Sequence, residues 1–347
     1  MVILFEDGTP GHNPRELYLK PTGGTLTSLT KVPEYLAKRG HAVYVQSEYK
    51  KNDIVNGVNY VEPGKAIPKW DVVVFNRNLV NKDFIEYGKK FGAKSIWWIH
   101  DLVDERQFTA DDYKYVDKIV GMSQYSIDTY SDYFEIPKAK FELISNGVDS
   151  GVFYSGSYEK RNPNLYIVAS AAHRGFDTLE TVYWALKKKN PALEMVVYSS
   201  QKLHHTSNSA EQDKSLRRLK EIGVRVLEPV NQADLAEVMR KAWVLLMPYK
   251  IPETCCNLLL QARACGLPVV SSNIGANREW ITHERTGLLT QWPPHDYFNW
   301  LKDAATQAIR LYADKDLHAR ISEQGMMDVP TWQLIGYKWE KMLEGMK

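Results

Sequence analysis

Residues 248–270, PYKIPETCCNLLLQARACGLPVV, hold the side chains whose spacing most clearly suits chemistry. Glu253 stands at the mouth of a predicted helix, and Gly266 turns the chain into a buried strand over residues 268–271. A carboxylate placed there lies at the carboxyl end of a strand, where open α/β sheets bind ligands. Behind it Cys256, Asn257 and Leu258 begin a helix whose first backbone N–H groups lack intrahelical partners. Hydroxyl-accepting oxygens next to anion-binding amides suit a polar, partly anionic ligand such as a nucleotide sugar.

Such side chains need rigid elements behind them. Short apolar runs predict strands at residues 2–5, 42–46, 71–75, 95–99 and 118–121, with a helix over 26–39 after Gly23 and Gly24. After a polar stretch at 154–164 the pattern restarts. Strands are expected at 165–169, 194–198, 224–227, 244–247 and 268–271, with helices over 178–189 and 232–241. Buried parallel strands read as short apolar runs of this kind, so both halves read as open parallel α/β domains. Turn residues put the boundary near 150–163, giving domains at 1–155 and 156–328. Trp332, Ile335, Trp339 and Leu343 sit at helical spacing, so residues 329–347 form a final helix that could cross back to the first domain.

Composition narrows the function classes. A chain of 347 residues fits two domains at about 150 residues each. Apolar residues at 44% and charged residues at 25% describe a chain with sizeable cores and an ordinary surface. The formal charge of +2 makes no general case for nucleic acid. Three clustered cysteines, Cys255, Cys256 and Cys265, suit neither a disulfide framework nor a typical zinc site, and a reducing, cytoplasmic setting is expected. No export signal and no bilayer-spanning apolar run is visible. The basic residues in 31–39 leave peripheral contact with an anionic membrane open, although Glu34 dilutes that case. No GxGxxG follows an early strand and no GxxxxGK[ST] run is present, which weakens a dinucleotide-dependent dehydrogenase.

Several fragments, in order, resemble the retaining glycosyltransferases of the GT-B fold, in the large family 4 group that includes sucrose synthases and bacterial mannosyltransferases. They are Gly23–Gly24 with Gly40–His41, His100–Asp101, the run NGVD at 146–149, Arg174–Gly175, the E-x7-E-like segment from Glu253 to Gln261 with GLPVV, and Glu279 with TGLL at 286–289. The resemblance implies two Rossmann-like, doubly wound parallel-sheet domains facing across a cleft. The N-terminal domain would serve the acceptor and the C-terminal domain a UDP- or GDP-linked sugar donor. It further implies transfer with retention, by front-face departure and attack, and without a metal ion.

Residue by residue, the resemblance assigns Gly23 and Gly24 amides and Arg174 to the donor diphosphate, His100 and Glu253 to the transferred sugar, and Cys256, Asn257 and Leu258 to amides near the ligand. Each has a simpler reading: a helix-capping turn for the glycines, a His-Asp helix cap for His100–Asp101, a surface arginine, and a helix-start carboxylate for Glu253. Gln261 replaces the second family glutamate, which grips both ribose hydroxyls. An amide offers one acceptor oxygen and a donor in its place, so weaker or altered ribose binding is expected. Glu279 matches a less uniform acidic position near the phosphates. The lysine that follows the family arginine is missing, with Leu179 and Glu180 in its region, and Lys202 is a candidate substitute.

These departures keep a second reading open, a catalytically weak or inactive sugar-nucleotide-binding module; a GT-B isomerase or phosphorylase is a third. The acceptor is read only as a glycan or other hydroxyl compound. The loops at 6–21 and 104–113 are expected to shape its site, and His12 and Arg15 could meet an acidic acceptor.

Overall fold

The computed structural model describes residues 1–8, 12–47, 49, 52–63, 65, 67–77, 80–103, 112–199 and 208–346. Lys202, residues 9–11 of the first acceptor-side loop and residues 104–111 of the second lie outside the described residues. The chain forms two compact units. The first comprises Met1–Leu17, Gly23–Gly147 and Pro330–Lys347, and the second Tyr18–Thr22 and Val148–Val329.

Among the described residues the first unit has an eight-stranded sheet. Its strands are β1 (Val2–Glu6), β2 (Ala42–Gln46), β3 (Asp53–Val55), β4 (Val58–Val61), β5 (Val72–Asn76), β6 (Lys94–Trp98), β7 (Lys118–Gly121) and β8 (Phe141–Leu143), in the order β3-β4-β2-β1-β5-β6-β7-β8. All pairings are parallel except β3 on β4, a hairpin turned by the left-handed pair Asn56–Gly57. Side chains alternate between two cores. Ile3, Phe5 and Trp98 pack with Leu29, Val32 and Leu36 of helix α1 (Gly24–Lys38), while Leu4, Phe75 and Trp97 face the opposite core beside helices α2 (Lys82–Lys89) and α3 (Gln124–Phe134). Helix α1 starts two residues ahead of its apolar periodicity. Thr27, Ser28 and Thr30 bond back to the carbonyls of Gly23, Gly24 and Leu26 at 3.0, 2.9 and 2.9 Å, which fastens the first turns.

The C-terminal helix Trp332–Glu344 buries Trp332, Ile335, Trp339 and Leu343 in the first of these cores. Each such side chain contributes about 2 kcal/mol by burial. The NGVD run explains how this helix is seated. The Asn146 side-chain amide is in hydrogen-bond contact with Ser28 Oγ at 2.7 Å, and a Cβ on Gly147 would come within 2.7 Å of the backbone at Thr331 and Trp332. In the second unit, Asp149 accepts hydrogen bonds from the Tyr18 hydroxyl and, at 3.0 Å, from the Gly151 amide.

The second unit has, among the described residues, a wholly parallel six-stranded sheet. Its strands are β9 (Leu165–Ala169), β10 (Glu194–Tyr198), β11 (Arg225–Leu227), β12 (Val244–Met247), β13 (Val269–Ser271) and β14 (Leu288–Leu289), ordered β11-β10-β9-β12-β13-β14. The covering helices are α4 (Leu179–Lys189), α5 (Ala210–Glu221), α6 (Gln232–Lys241), α7 (Asn257–Ala264), α8 (Asn277–Trp280), α9 (Tyr297–Ala313) and α10 (Lys315–Gly325).

Buried polar groups lock this unit. The Arg161 guanidinium donates to the carbonyls of Met239, Ala242 and Cys265, and Arg263 to those of Gly325, Trp280 and Met327. Burial lowers both guanidiniums to about 10. His318 lies stacked on Trp243 with ring centroids 3.5 Å apart. Its Nε2 faces the Trp243 carbonyl at 2.8 Å and so carries the proton, leaving Nδ1 to accept from the Tyr158 hydroxyl at 2.9 Å.

Each sheet reverses its winding once, between β1 and β5 in the first and between β9 and β12 in the second. Such reversals open a crevice at the carboxyl ends of the flanking strands. No helix among the described residues is long and apolar enough to cross a membrane.

Replacing Gly147 by Ala forces a Cβ against backbone that has no rotamer to yield. A loss of about 1–3 kcal/mol in unfolding free energy is expected, read as a lower denaturant midpoint at unchanged slope.

Candidate active site

The reversal in the second sheet gathers the sequence-selected residues of that unit. Arg174 ends a 3-10 turn, Ala172–Arg174, that follows β9, and Glu253 lies between β12 and α7. Adjacent strands thus carry them to one rim, where the Arg174 Nη1 and Glu253 Oε1 atoms form an ion pair. Their side chains retain 22% and 16% exposure, so the pair is shielded yet reachable from solvent.

The backbone fixes that meeting. The Lys250 amide donates to the Arg174 carbonyl at 2.8 Å. Gly175, at φ +124, packs so that a Cβ would lie 3.1 Å from the Pro248 carbonyl oxygen. Gly275, at φ +56, approaches Glu253 so closely that a Cβ would lie 2.7 Å from its amide nitrogen, and the Ala276 amide donates to the Glu253 carbonyl at 2.9 Å. Only glycine combines that φ with that approach. Beneath the pair, the ring of buried Tyr249 has its centroid 6.0 Å from the Arg174 guanidinium carbon.

Helix α7 begins just behind Glu253. Its N-cap, Cys256, makes no side-chain cap hydrogen bond, and no acidic residue stands in its first turn. Burial pushes the Cys256 thiol up to about 11, so it stays neutral and leaves the positive end of the helix uncancelled. Asn257, Leu258 and Gln261 are half-buried, and their spacing puts them on one face of α7, while Leu259, Leu260, Ala262 and Arg263 are buried. Glu279, on α8, is exposed.

In the first unit, Gly23 precedes α1 with φ −72 and ψ 163, an extended conformation open to any residue. A Cβ there would meet nothing within 4 Å. Turn geometry therefore does not require this glycine, and the space above it is open to a ligand. No side-chain cap bond covers the start of α1. His100 follows β6, 5% exposed, with its ring 4.5 Å from that of Trp98. Burial lowers it to about 3, against a smaller opposing effect of Asp101, so it is a neutral imidazole.

Asp101 is not a helix cap. It accepts a two-pronged bond from Arg77 at 2.6 and 2.9 Å. Arg77 sits after β5 in the left-handed region at φ 59, beside Asn76, whose side-chain amide donates to buried Asp7 at 2.8 Å. Sequence reasoning missed Arg77, Asn76 and Asp7. The available signal was their place at the carboxyl ends of strands β5 and β1, at that sheet's reversal.

His12 and Arg15 do not form a cationic acceptor patch. Thr30 gives its own proton to the Leu26 carbonyl, so His12 Nε2–H donates to the Thr30 oxygen at 3.2 Å. Burial lowers His12 to about 4. Arg15 is occupied by Asp53, through two bonds of 2.8 Å. Lys250 was also missed: it is stitched to Arg174 through the backbone, and its ammonium pairs with Asp177. Among the described residues, no group of three or more His, Cys, Asp or Glu is arranged to hold a metal ion.

Residues 162–314, which contain this rim, match the family of glycosyl transferases group 1. That segment is a group 1 glycosyl transferase domain, and the chain has the GT-B fold. A D-inositol 3-phosphate glycosyltransferase of Saccharomonospora viridis is 27% identical over 224 residues, covering 60% of this chain and 50% of the relative. The chain spans about half the length of such curated relatives. Sucrose-phosphate synthase from Thermosynechococcus elongatus superposes with a TM-score of 0.79 at 16% identity, covering 99% of this chain and 98% of that one. HepE of Anabaena, solved with UDP and glucose, gives 0.72 at 15% identity over 99% and 100% of the two chains. These two likenesses concern the fold.

Three buried histidines make the protein sensitive to acid. His12, His100 and His318 stand at about 4, 3 and 4, below the usual 6.5, so between pH 6.5 and 4 the unfolded chain takes up protons that the folded chain refuses. Their stabilisation is complete above pH 6.5 and is lost as pH falls. Glu6, raised to about 7 by burial and by Asp7, acts oppositely, and its contribution is lost as pH rises through 7. Three groups outweigh one. The denaturant midpoint is expected to fall steadily from pH 6.5 to 4, and replacing His318 by Gln should flatten that slope.

Proposed function

We propose that the protein is a retaining glycosyltransferase that moves a sugar, taken to be a hexose, from a UDP- or GDP-linked donor to a hydroxyl acceptor without a metal ion. The observation that carries this reading is the convergence of Arg174 and Glu253 where the second sheet reverses. Departure of a nucleoside diphosphate concentrates negative charge on its oxygens. Fixed donors aimed at that charge lower the barrier most. Arg174 supplies a planar cationic fork, and the uncapped start of α7 supplies oriented amides at Cys256, Asn257 and Leu258. Glu253 is assigned to the sugar hydroxyls, which donate to its two oxygens.

In the first unit, the open space at Gly23 supports the assignment of Gly23 and Gly24 amides to phosphate oxygens. Neutral His100 is assigned to a sugar hydroxyl, for which an imidazole offers one donor and one acceptor. Glu279 is assigned a peripheral contact near the phosphates. The D-inositol 3-phosphate glycosyltransferases among the relatives support a polyol acceptor, and HepE, solved with UDP and glucose, supports a UDP-linked donor.

A panel of UDP- and GDP-sugars, assayed for hydrolysis and for transfer in the presence of EDTA, tests the reading. One donor is expected to turn over with retained anomeric configuration. Arg174→Ala and Glu253→Ala should each lower kcat by roughly a hundredfold. Absence of turnover across the panel, or rates indifferent to both changes, would refute it.

Gln261 is the departure with a readable consequence. Gln261→Glu gives ribose two acceptor oxygens on the half-buried face of α7 in place of one. Titration calorimetry should record a several-fold tighter Kd for the matching nucleoside diphosphate; a weaker Kd would show that the amide is the better partner.

A further inference from the structure

We infer that Glu253 is a selectivity residue that competes internally for Arg174, so that the ligand-free rim favours an intact nucleotide sugar over the free nucleoside diphosphate. The inference rests on the proposed donor reading of this rim. It adds that the two groups assigned to opposite ends of the donor hold each other when no donor is present.

Three observations carry it. The Arg174–Glu253 pair is formed and largely shielded, so its partners attract more strongly than a fully solvated pair. Both backbones are fixed, Arg174 by the Lys250 amide and Glu253 by Gly275 and Ala276, so the carboxylate cannot retreat by moving its loop. Among the described residues Glu253 pairs with no second cation, and Lys250, which is also joined to this rim, pairs with Asp177.

A diphosphate must draw the guanidinium away from Glu253. An intact donor then brings sugar hydroxyls, which donate to the abandoned carboxylate and offset the loss. A free nucleoside diphosphate brings none, so Glu253 is left shielded and unpaired, facing an anion of its own sign. Leaving a half-buried charge without its partner is costly. The carboxylate therefore weakens product more than donor and hastens product release, by a repulsive element set against the wrong ligand.

Calorimetric titration of the whole chain with UDP, GDP, UDP-glucose and GDP-mannose tests this, using wild type, Glu253→Gln, Arg174→Gln and the double variant. In Glu253→Gln, the free diphosphate that wild type binds should bind about tenfold tighter, which is about 1.4 kcal/mol, while the corresponding nucleotide sugar binds more weakly. The double variant should bind the diphosphate no better than Arg174→Gln alone. Unchanged or weaker diphosphate binding by a folded Glu253→Gln protein would overturn the inference, as would a gain that survives loss of Arg174. Should Glu253→Gln not fold, Glu253→Asp, which withdraws the carboxylate by one methylene, must tighten the diphosphate about threefold, and no tightening overturns the claim. Failure of wild type to bind any of the four would remove the donor reading itself and this inference with it.

Discussion

A parallel sheet that winds in both directions must leave a gap between two strand ends, and the second unit depends on where that gap falls. It lies between β9 and β12. The loop leaving β9 delivers Arg174, and the loop leaving β12 delivers Glu253. Neither loop stands alone: an amide of one bonds a carbonyl of the other, and Gly175 lets them touch. The loop that delivers Glu253 leads directly into α7, whose first amides have no side-chain cap. Charge, hydroxyl-accepting oxygens and helix amides therefore arise from one topological event.

Around that gap the second unit is stiffened by buried polar groups. Arg161 and Arg263 each donate to three backbone carbonyls in segments separate in sequence, including the turns that end α6, α7 and α8 and the last residue of α10. Guanidiniums bonded to three carbonyls each favour a single arrangement of those segments, because any other leaves a buried cation shorter of acceptors. Stacked His318 adds a neutral version of the same device. A rim built on such a base can keep an arginine and a glutamate in register.

Much of the fold was legible because buried parallel strands betray themselves as apolar runs. Residues 42–46, 118–121, 165–169, 194–198 and 244–247 were placed with the bounds that the structure gives them. The β3–β4 hairpin was not, since its half-exposed strands mix polar and apolar residues and its Asn-Gly turn was the sole clear mark. Helices α5 and α10 are rich in charge, and their apolar stripes are too thin to stand out. In the site, family-like motifs identified Arg174 and Glu253, but their mutual pairing depends on strand order, which no local pattern records. Gly275 and Arg77 escaped notice for another reason: a left-handed backbone has no side-chain signature of its own. That His12 and Arg15 could meet an acidic acceptor was read without the burial of one and the partner of the other across the fold, both invisible along the chain.

The most direct test is a crystal structure of the chain with an intact nucleotide sugar that it binds. Diphosphate oxygens are expected on the Arg174 guanidinium and the α7 amides, sugar hydroxyls on Glu253, and the Arg174–Glu253 pair broken. A nucleotide bound with that pair intact, or lodged away from the ends of β9 and β12, would contradict it.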